Sequence, residues 1–369
     1  MRVQRYVVAL VLSLGILGLV AAGCGSSSDS SSSSAGGGGS TSGESGSGGE
    51  TAGASIKVEP RTIGVVELIR QAPIDDKTDK MIEAAGDALG WTVKVSDAEG
   101  NPQKVATAMQ TFVNEGVDGI ILDSVDANLV RKQLTQAKQK GIPTIHTNSG
   151  TEESDLWDAA YTEDEKKMAS ILIEYIYETV EEPKIIDLKT SLNVAGVERE
   201  EGVQEVVQRE GDKGEIIASQ EVDLSDPVPN TTKATTDLLT AHPEANAIYA
   251  VFDNMGQPAV TAVKLKRSDA KVYNYFTTEQ NVKNLEGDTA LAAVADVDLA
   301  KTGAVAIDQM LSLFEKEKPI ERDAMKQYPL KYQVFDKEDV EELGSAGEAF
   351  PIEETLAPFL EKWEGEYPG

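Results

Sequence analysis

The chain is poor in the residues that metal and nucleophile chemistry most often use. One cysteine and two histidines occur in 369 residues. A lone cysteine makes no intramolecular disulfide, and together with two histidines it builds no Cys/His zinc site. Histidine-dependent catalysis would have to rest on His146 or His242. Basic side chains are also scarce, with 34 Lys and Arg against 63 Asp and Glu, a net charge of −29. That balance excludes a general nucleic-acid binder, which needs a basic face to displace phosphate counterions. It equally excludes a surface held to anionic lipid by charge. Aromatic residues make up only 5%, which argues against a large glycan as ligand. No Gly-x-Ser-x-Gly elbow, HExxH helix or P-loop occurs, and no Gly-x-Gly-x-x-Gly follows a strand. No catalytic residue, cofactor or metal is therefore expected, and His146 reads as a strand-end residue near a cleft or hinge.

What is present begins with an export segment. Arg2 and Arg5 precede an apolar stretch from Val7 to Val20, and Ala21-Ala22-Gly23 supplies small residues just before Cys24. The stretch is short for a membrane span of roughly 20 residues and reads as a signal peptide over 1–23. A cysteine directly after the processing site resembles a bacterial lipobox, although Ala21 stands where Leu is usual. That resemblance implies that Cys24 is acylated and becomes the first residue. Residues 25–54 hold twelve Ser and ten Gly, cannot bury enough surface to offset chain entropy, and read as a disordered tether of about 30 Å r.m.s. reach. Loss of Arg2 and Arg5 with the signal takes the net charge from −29 to −31.

From Ser55 onward, apolar runs alternate with amphipathic stretches. Thr62–Val66, Trp91–Val95, Asp118–Asp123 and Gly141–Ile145 read as strands. Helices are expected from Pro73, from Pro102, and over Ala127–Lys140 with Asp126 as N-cap. The alternation restarts after Tyr161, with helices at 165–180, 195–208, 230–240 and 255–266 separated by strands. Repeated β-α units mean parallel sheets covered by helices on both faces. Two sets of units predict two doubly wound α/β lobes joined by a multi-strand hinge. The expected boundaries are 55–161 for the N-lobe, completed by about 291–320, and 162–290 for the C-lobe, completed by about 325–369. The acid-rich stretch Glu361 to Gly369 reads as solvated surface.

Several local signatures occur in a particular order. They are Gln71-Ala72-Pro73, Leu89-Gly90-Trp91, Asn101-Pro102, Glu115-Gly116-Val117-Asp118-Gly119 and Val125-Asp126. Lys140-Gly141-Ile142-Pro143, Glu198-Arg199-Glu200-Glu201-Gly202, Leu239-Thr240-Ala241-His242-Pro243 and Asp253-Asn254-Met255 follow. Together they resemble the type I periplasmic substrate-binding proteins of ABC importers, in the ribose and galactose branch. The resemblance implies a ligand cleft at the carboxyl ends of the strands. It places Asn148 and Ser149 where the family carries an Asp-Arg pair, and aligns Arg199 with an arginine that hydrogen-bonds the ligand. It puts Asp253 in an Asn-Asp pair whose Asn is replaced by Phe252, Phe276 near a Gly-Phe-Asp turn, and Asp296 near a Gln. Ile74 and Asp75 replace two aromatics, so sugar stacking from that side is lost.

Glu67, Asp75, Asp123, Asp253 and Asp296 make an acid-rich cleft that suits a polyhydroxylated or cationic ligand, because carboxylates accept from hydroxyl and ammonium groups. The ligand-binding candidates are thus Glu67, Asp75, Asp123, Asn148, Arg199, Asp253, Phe276 and Asp296. Five of them have a local alternative: loop-amide bonding for Asp123, a surface ion pair for Arg199, a turn for Asn148, an N-cap for Asp253 and helix-dipole stabilisation for Asp75. Trp157 reads as core, with a stacking face as the other option. The resemblance implies a monomeric extracytoplasmic lipoprotein that delivers a sugar or polyol to an ABC permease. A sensory binding lipoprotein reporting to a receptor or kinase is the alternative, and an extracytoplasmic hydrolase a third.

Overall fold

The computed structural model describes residues 56–70, 73–148, 154–343 and 349–369. The signal segment, Cys24, the tether and Ser149 lie outside those residues. Among the described residues no helix is long and apolar enough to cross a membrane.

The first sheet is wholly parallel, and its first four strands are joined in sequence by helices, as parallel pairing requires. It holds β1 (Thr62–Glu67), β2 (Thr92–Asp97), β3 (Gly119–Asp123), β4 (Thr144–Thr147) and β5 (Ala159–Tyr161), in the order β2-β1-β3-β4-β5. Helices α1 (Pro73–Ala88), α2 (Pro102–Glu115) and α3 (Ala127–Lys140) connect them. Asn101 and Asp126 cap α2 and α3 by accepting from backbone amides, and Gly116 and Gly141 end them in the left-handed conformation. Alternate residues of the strands bury on opposite faces. Ile63 and Val65 pack with Met81 and Ile82 of α1, whereas Val66 packs with Val105 and Met109 of α2. A parallel sheet buried on both faces explains the unbroken Gly-Ile-Ile-Leu run of β3.

The second lobe is built around α4 (Glu165–Thr179), β6 (Lys184–Lys189), α5 (Val194–Glu210), β7 (Glu215–Glu221), α6 (Pro227–Ala241), β8 (Ala247–Ala250), α7 (Asp253–Lys266), β9 (Lys271–Tyr275), α8 (Glu279–Glu286) and β10 (Leu291–Val297). The sheet order is β11-β10-β9-β8-β6-β7, with β11 (Tyr332–Asp336) antiparallel on its edge. Helices α4 and α5 meet at Gly202, where an added Cβ would lie 2.3 Å from the Lys166 carbonyl oxygen. Gly202→Ala is expected to cost about 1–3 kcal/mol by overpacking, measured by chemical denaturation. An unchanged stability would show that the two helices separate freely.

Two expected boundaries are corrected. Residues 291–297 do not complete the N-lobe: β10 pairs with β9 and packs Ala293, Val294 and Ala295 into the second core. Its alternate residues are covered on both faces by the second core, and β9 and β11 flank it. The crossing follows at 298–300, and α9 (Lys301–Lys316) then packs on the first lobe against α1. The chain returns at 327–331 to make β11. The tail is the second correction. Helix α10 (Ile352–Glu366) lies on the first lobe, not the second, and it is not a solvated surface. Leu356, Phe359 and Trp363 form one apolar stripe in the same core as α1 and α9. Trp363 donates its indole N–H to Asp308 at 2.8 Å, and Lys362 pairs with the same carboxylate at 2.7 Å.

Candidate functional site

The carboxyl ends of the strands in both lobes carry the candidate residues. Glu67 and Asp123 are the last residues of β1 and β3, paired in register across the sheet, so their side chains emerge side by side. Asp75 lies in the first turn of α1. One carboxylate oxygen from each of the three lies within 4.8 Å of the others. The Ile69 amide donates to Glu67 Oε1 at 2.8 Å, Ser124 Oγ to Asp75 at 3.0 Å, and Thr147 Oγ1 to Asp123 at 2.8 Å. Burial dominates the electrostatics. It pushes Asp75 up to about 7 with the Glu67 charge adding to it, and it raises Asp123 and Glu67 above the ordinary carboxylate range.

Asn148 follows β4 with φ of 59°, a left-handed conformation that asparagine tolerates. Its amide donates to Thr78 Oγ1 at 2.9 Å, and its oxygen accepts from Thr302 Oγ1 of α9 at 3.1 Å. It also helps hold down the Asp75 pKa by hydrogen bonding. Two further positive-φ residues, Ser124 and Phe276, sit just beyond the ends of β3 and β9. Backbone strain therefore gathers at the strand ends of both lobes. At Phe276 it is held by Asn281, whose amide donates to the Tyr275 and Phe276 carbonyls at 3.0 and 2.9 Å.

Arg199 is not the surface residue that its acidic neighbours permit. It lies on the buried stripe Ala195, Gly196, Arg199, Gly202, Val203 of α5 and is 3% exposed. Nε donates to Glu165 of α4 at 2.7 Å and Nη1 to the Val251 carbonyl at 2.9 Å. The guanidinium carbon stands 4.3 Å from the Tyr275 ring centroid, with Phe252 and Phe276 at 5.0 and 5.9 Å. Burial alone would lower its pKa, but the Glu165 charge and hydrogen bond, together with the Tyr275 and Tyr249 hydroxyls, leave it raised. The Gly202 contact is what brings α4 and α5 close enough for the pair to form.

Asp253 opens α7 as its first helical residue, not as the N-cap, which is Phe252. Burial raises its pKa, tempered by its amide bonds and Arg199, and its charge is felt by Asp75. Asp296 is tied down by the Thr277 amide and hydroxyl at 2.8 and 2.5 Å. Glu67, Asp75, Asp123 and Asn148 thus form one group, and Arg199 and Phe276 a second that Asp253 links electrostatically to the first. Asp296 stands apart on the hinge side, near Lys77. Trp157 is core, stacked on the buried ring of His146 at 4.6 Å. Burial lowers the His146 pKa to about 3, so the ring stays neutral, which suits no acid-base role at ordinary pH.

Sequence reasoning missed Asp79 and Thr78. Both are fully buried on α1, and burial with the Glu67 charge pushes Asp79 up to about 8. A signal was available: positions 75, 78, 79, 82 and 85 continue one helical stripe, and acids stand where that period calls for apolar side chains. A separate surface groove of about 670 Å³, lined by Lys264, Asp269, Asn284 and Asp288 among others, contains none of the candidate residues.

A family model described as a periplasmic binding protein domain matches residues 69–318. The chain is 27% identical over 267 residues to the ABC transporter periplasmic-binding protein YphF of Escherichia coli, covering 69% of this chain and 81% of that protein. It is 26% identical over 233 residues to the ribose import binding protein RbsB of Salmonella typhimurium, covering 61% and 76%. Among solved structures, the periplasmic ribose ABC transporter of Conexibacter woesei superposes with a TM-score of 0.68 at 17% identity, over 80% of this chain and 97% of that one. A Mycobacterium smegmatis ABC transporter solute-binding protein with bound glycerol gives 0.65 at 21% identity, over 79% and 99%. These two likenesses concern the fold, which is that of two parallel-sheet α/β lobes. The chain belongs to the periplasmic binding protein family.

Proposed function

We propose that this protein is the solute-binding component of an ABC importer, not an enzyme. It captures a small polyhydroxylated solute between its lobes and presents it to a membrane permease. The observation that carries this reading is the convergence of polar side chains from both lobes at the carboxyl ends of the strands, in a chain of this family. Relatives named for ribose import, and a neighbour holding glycerol, give the ligand class. Glu67, Asp75, Asp123 and Asn148 contact the solute from the first lobe, and Asp253 and Phe276 from the second. Arg199 has Nε and Nη1 engaged, so Nη2 is the nitrogen it offers. Asp296 orders the Thr277 turn that closes the cleft on the hinge side. Two lobes joined by several crossings close as rigid bodies, and a solute that binds the closed form better shifts the population toward it.

A thermal-shift screen of sugars and polyols tests this function. Saturable stabilisation is expected, with the solute recovered chemically unchanged by mass spectrometry. Turnover of a stabilising compound would overturn the reading. The protein is exported and held to the outer face of a bacterial membrane as a monomer by a lipid on Cys24. Cys24→Ala is expected to move it from the membrane fraction to the soluble fraction of expressing cells, and retention in the membrane fraction would refute the anchor.

A further inference from the structure

The first-lobe group packs more carboxyl groups together than its surroundings can neutralise in ionised form. Glu67 and Asp123 are fully buried, and no N–H or hydroxyl among the described residues donates to Glu67 Oε2 or Asp123 Oδ2; the two carboxyls interact with each other instead. Asp79 stands behind them on α1, equally buried, with both carboxylate oxygens lacking a hydrogen bond. Arg70 is the cation beside them. Its Nε lies 3.6 Å from Asp79 and 3.4 Å from Asp76, and its Nη2 3.2 Å from Glu83. It forms no ion pair with Glu67, Asp75 or Asp123. Across the cleft, Asp253 adds a further acid, and Arg199 is already committed to Glu165. Buried carboxylates without donors are costly unless a proton or a cation fills the space between them.

The geometry selects the kind of cation. A hard divalent ion takes about six to eight oxygens. Here one oxygen of each of the three carboxyls already accepts from Ile69, Ser124 or Thr147, and the backbone carbonyls of Glu67 and Asp123 accept from the Ala98 and Leu68 amides, so a divalent ion would need water for most of its shell. A primary ammonium needs only three acceptors, one for each N–H. Accepting the solute-binding reading above, we propose that Glu67, Asp75 and Asp123 form a cage for a protonated primary amine, so that the solute is an amino sugar or amino polyol. The amine enters from the cleft, displaces any proton the three carboxyls share, and donates one hydrogen bond to each.

Matched solutes test the cage directly. The full chain is titrated calorimetrically with glucose and glucosamine, galactose and galactosamine, mannose and mannosamine, and glycerol and 2-amino-1,3-propanediol. Calcium chloride and magnesium chloride alone form separate arms. In at least one pair the amine is expected to bind at least about tenfold tighter than its neutral partner. Asp75→Asn and Asp123→Asn should each abolish that ratio. Their unliganded melting temperatures should stay at or above that of the parent, since each removes a buried repulsion. Equal or tighter binding of the neutral partners would overturn the cage and leave the solute-binding function standing. Stabilisation by either divalent ion alone, lost in Asp123→Asn, would make this a metal site and overturn the amine. No response to any sugar, polyol or amine would overturn both readings.

Discussion

Arg199→Ala is expected to destabilise the folded protein by about 3–5 kcal/mol, because it strands a buried carboxylate. Glu165 is 1% exposed, and its Oε2 accepts from Arg199. Buried Glu163 lies next to it, with a carboxyl already raised by burial and by the Glu165 charge. Without the guanidinium, two acids would share a dry pocket under three aromatic rings. For a protein of this size the melting temperature should fall by about 5–8 °C. Arg199→Lys should recover little, since an ammonium cannot serve Glu165 and the Val251 carbonyl while lying over Tyr275. Replacing both partners, with Glu165→Leu and Arg199→Met, should recover most of the loss. Chemical denaturation of the four proteins checks this, and a loss below about 1 kcal/mol for Arg199→Ala would reduce the pair to the value of a surface bridge.

Asp79→Asn is expected to act in the opposite direction, with a gain that grows with pH. Asp79 has a folded pKa of about 8 against an ordinary 3.8, through burial and the Glu67 charge. Between those values the folded protein holds a proton that the unfolded chain has released. Parent stability therefore rises as pH falls through this window and is lost as pH climbs toward 8. Asparagine carries no such cost. Its advantage should widen by up to about 1.4 kcal/mol per pH unit between about pH 4 and 8, giving roughly 2–3 kcal/mol more at pH 8 than at pH 6. Denaturation midpoints of parent and variant across this range check the prediction. Parallel pH profiles would mean that Asp79 ionises as an exposed aspartate does.

Local pattern made much of the architecture readable before any coordinates. The run Gly119 to Asp123 between Asp118 and Asp126 announces a buried parallel strand and a capped helix, and both are present with that cap. Strand β5 was not readable, because three residues carry no period. The α10 stripe of Leu356, Phe359 and Trp363 does have helical spacing, but surrounding acids and the interior Pro358 concealed it. The site was legible only in part. Its first-lobe acids could be named one by one, since each ends a strand or opens a helix. Their convergence is tertiary, set by the register of β1 against β3. The Arg199 counter-ion was hidden for the same reason: Glu165 lies 34 residues away, on another helix.

The first and last described residues lie at one place. Ile56 bridges Pro368 in antiparallel fashion, and the Lys57 amide donates to the Tyr367 carbonyl at 3.0 Å. The covalent order of the chain is therefore separable from its architecture. A few glycines joining 369 to 56 would close the backbone without disturbing either core, and new ends could be opened in an exposed loop. Ends opened beside the cleft would sit where lobe closure is felt most. A pair of fluorophores placed there would turn solute capture into an optical signal.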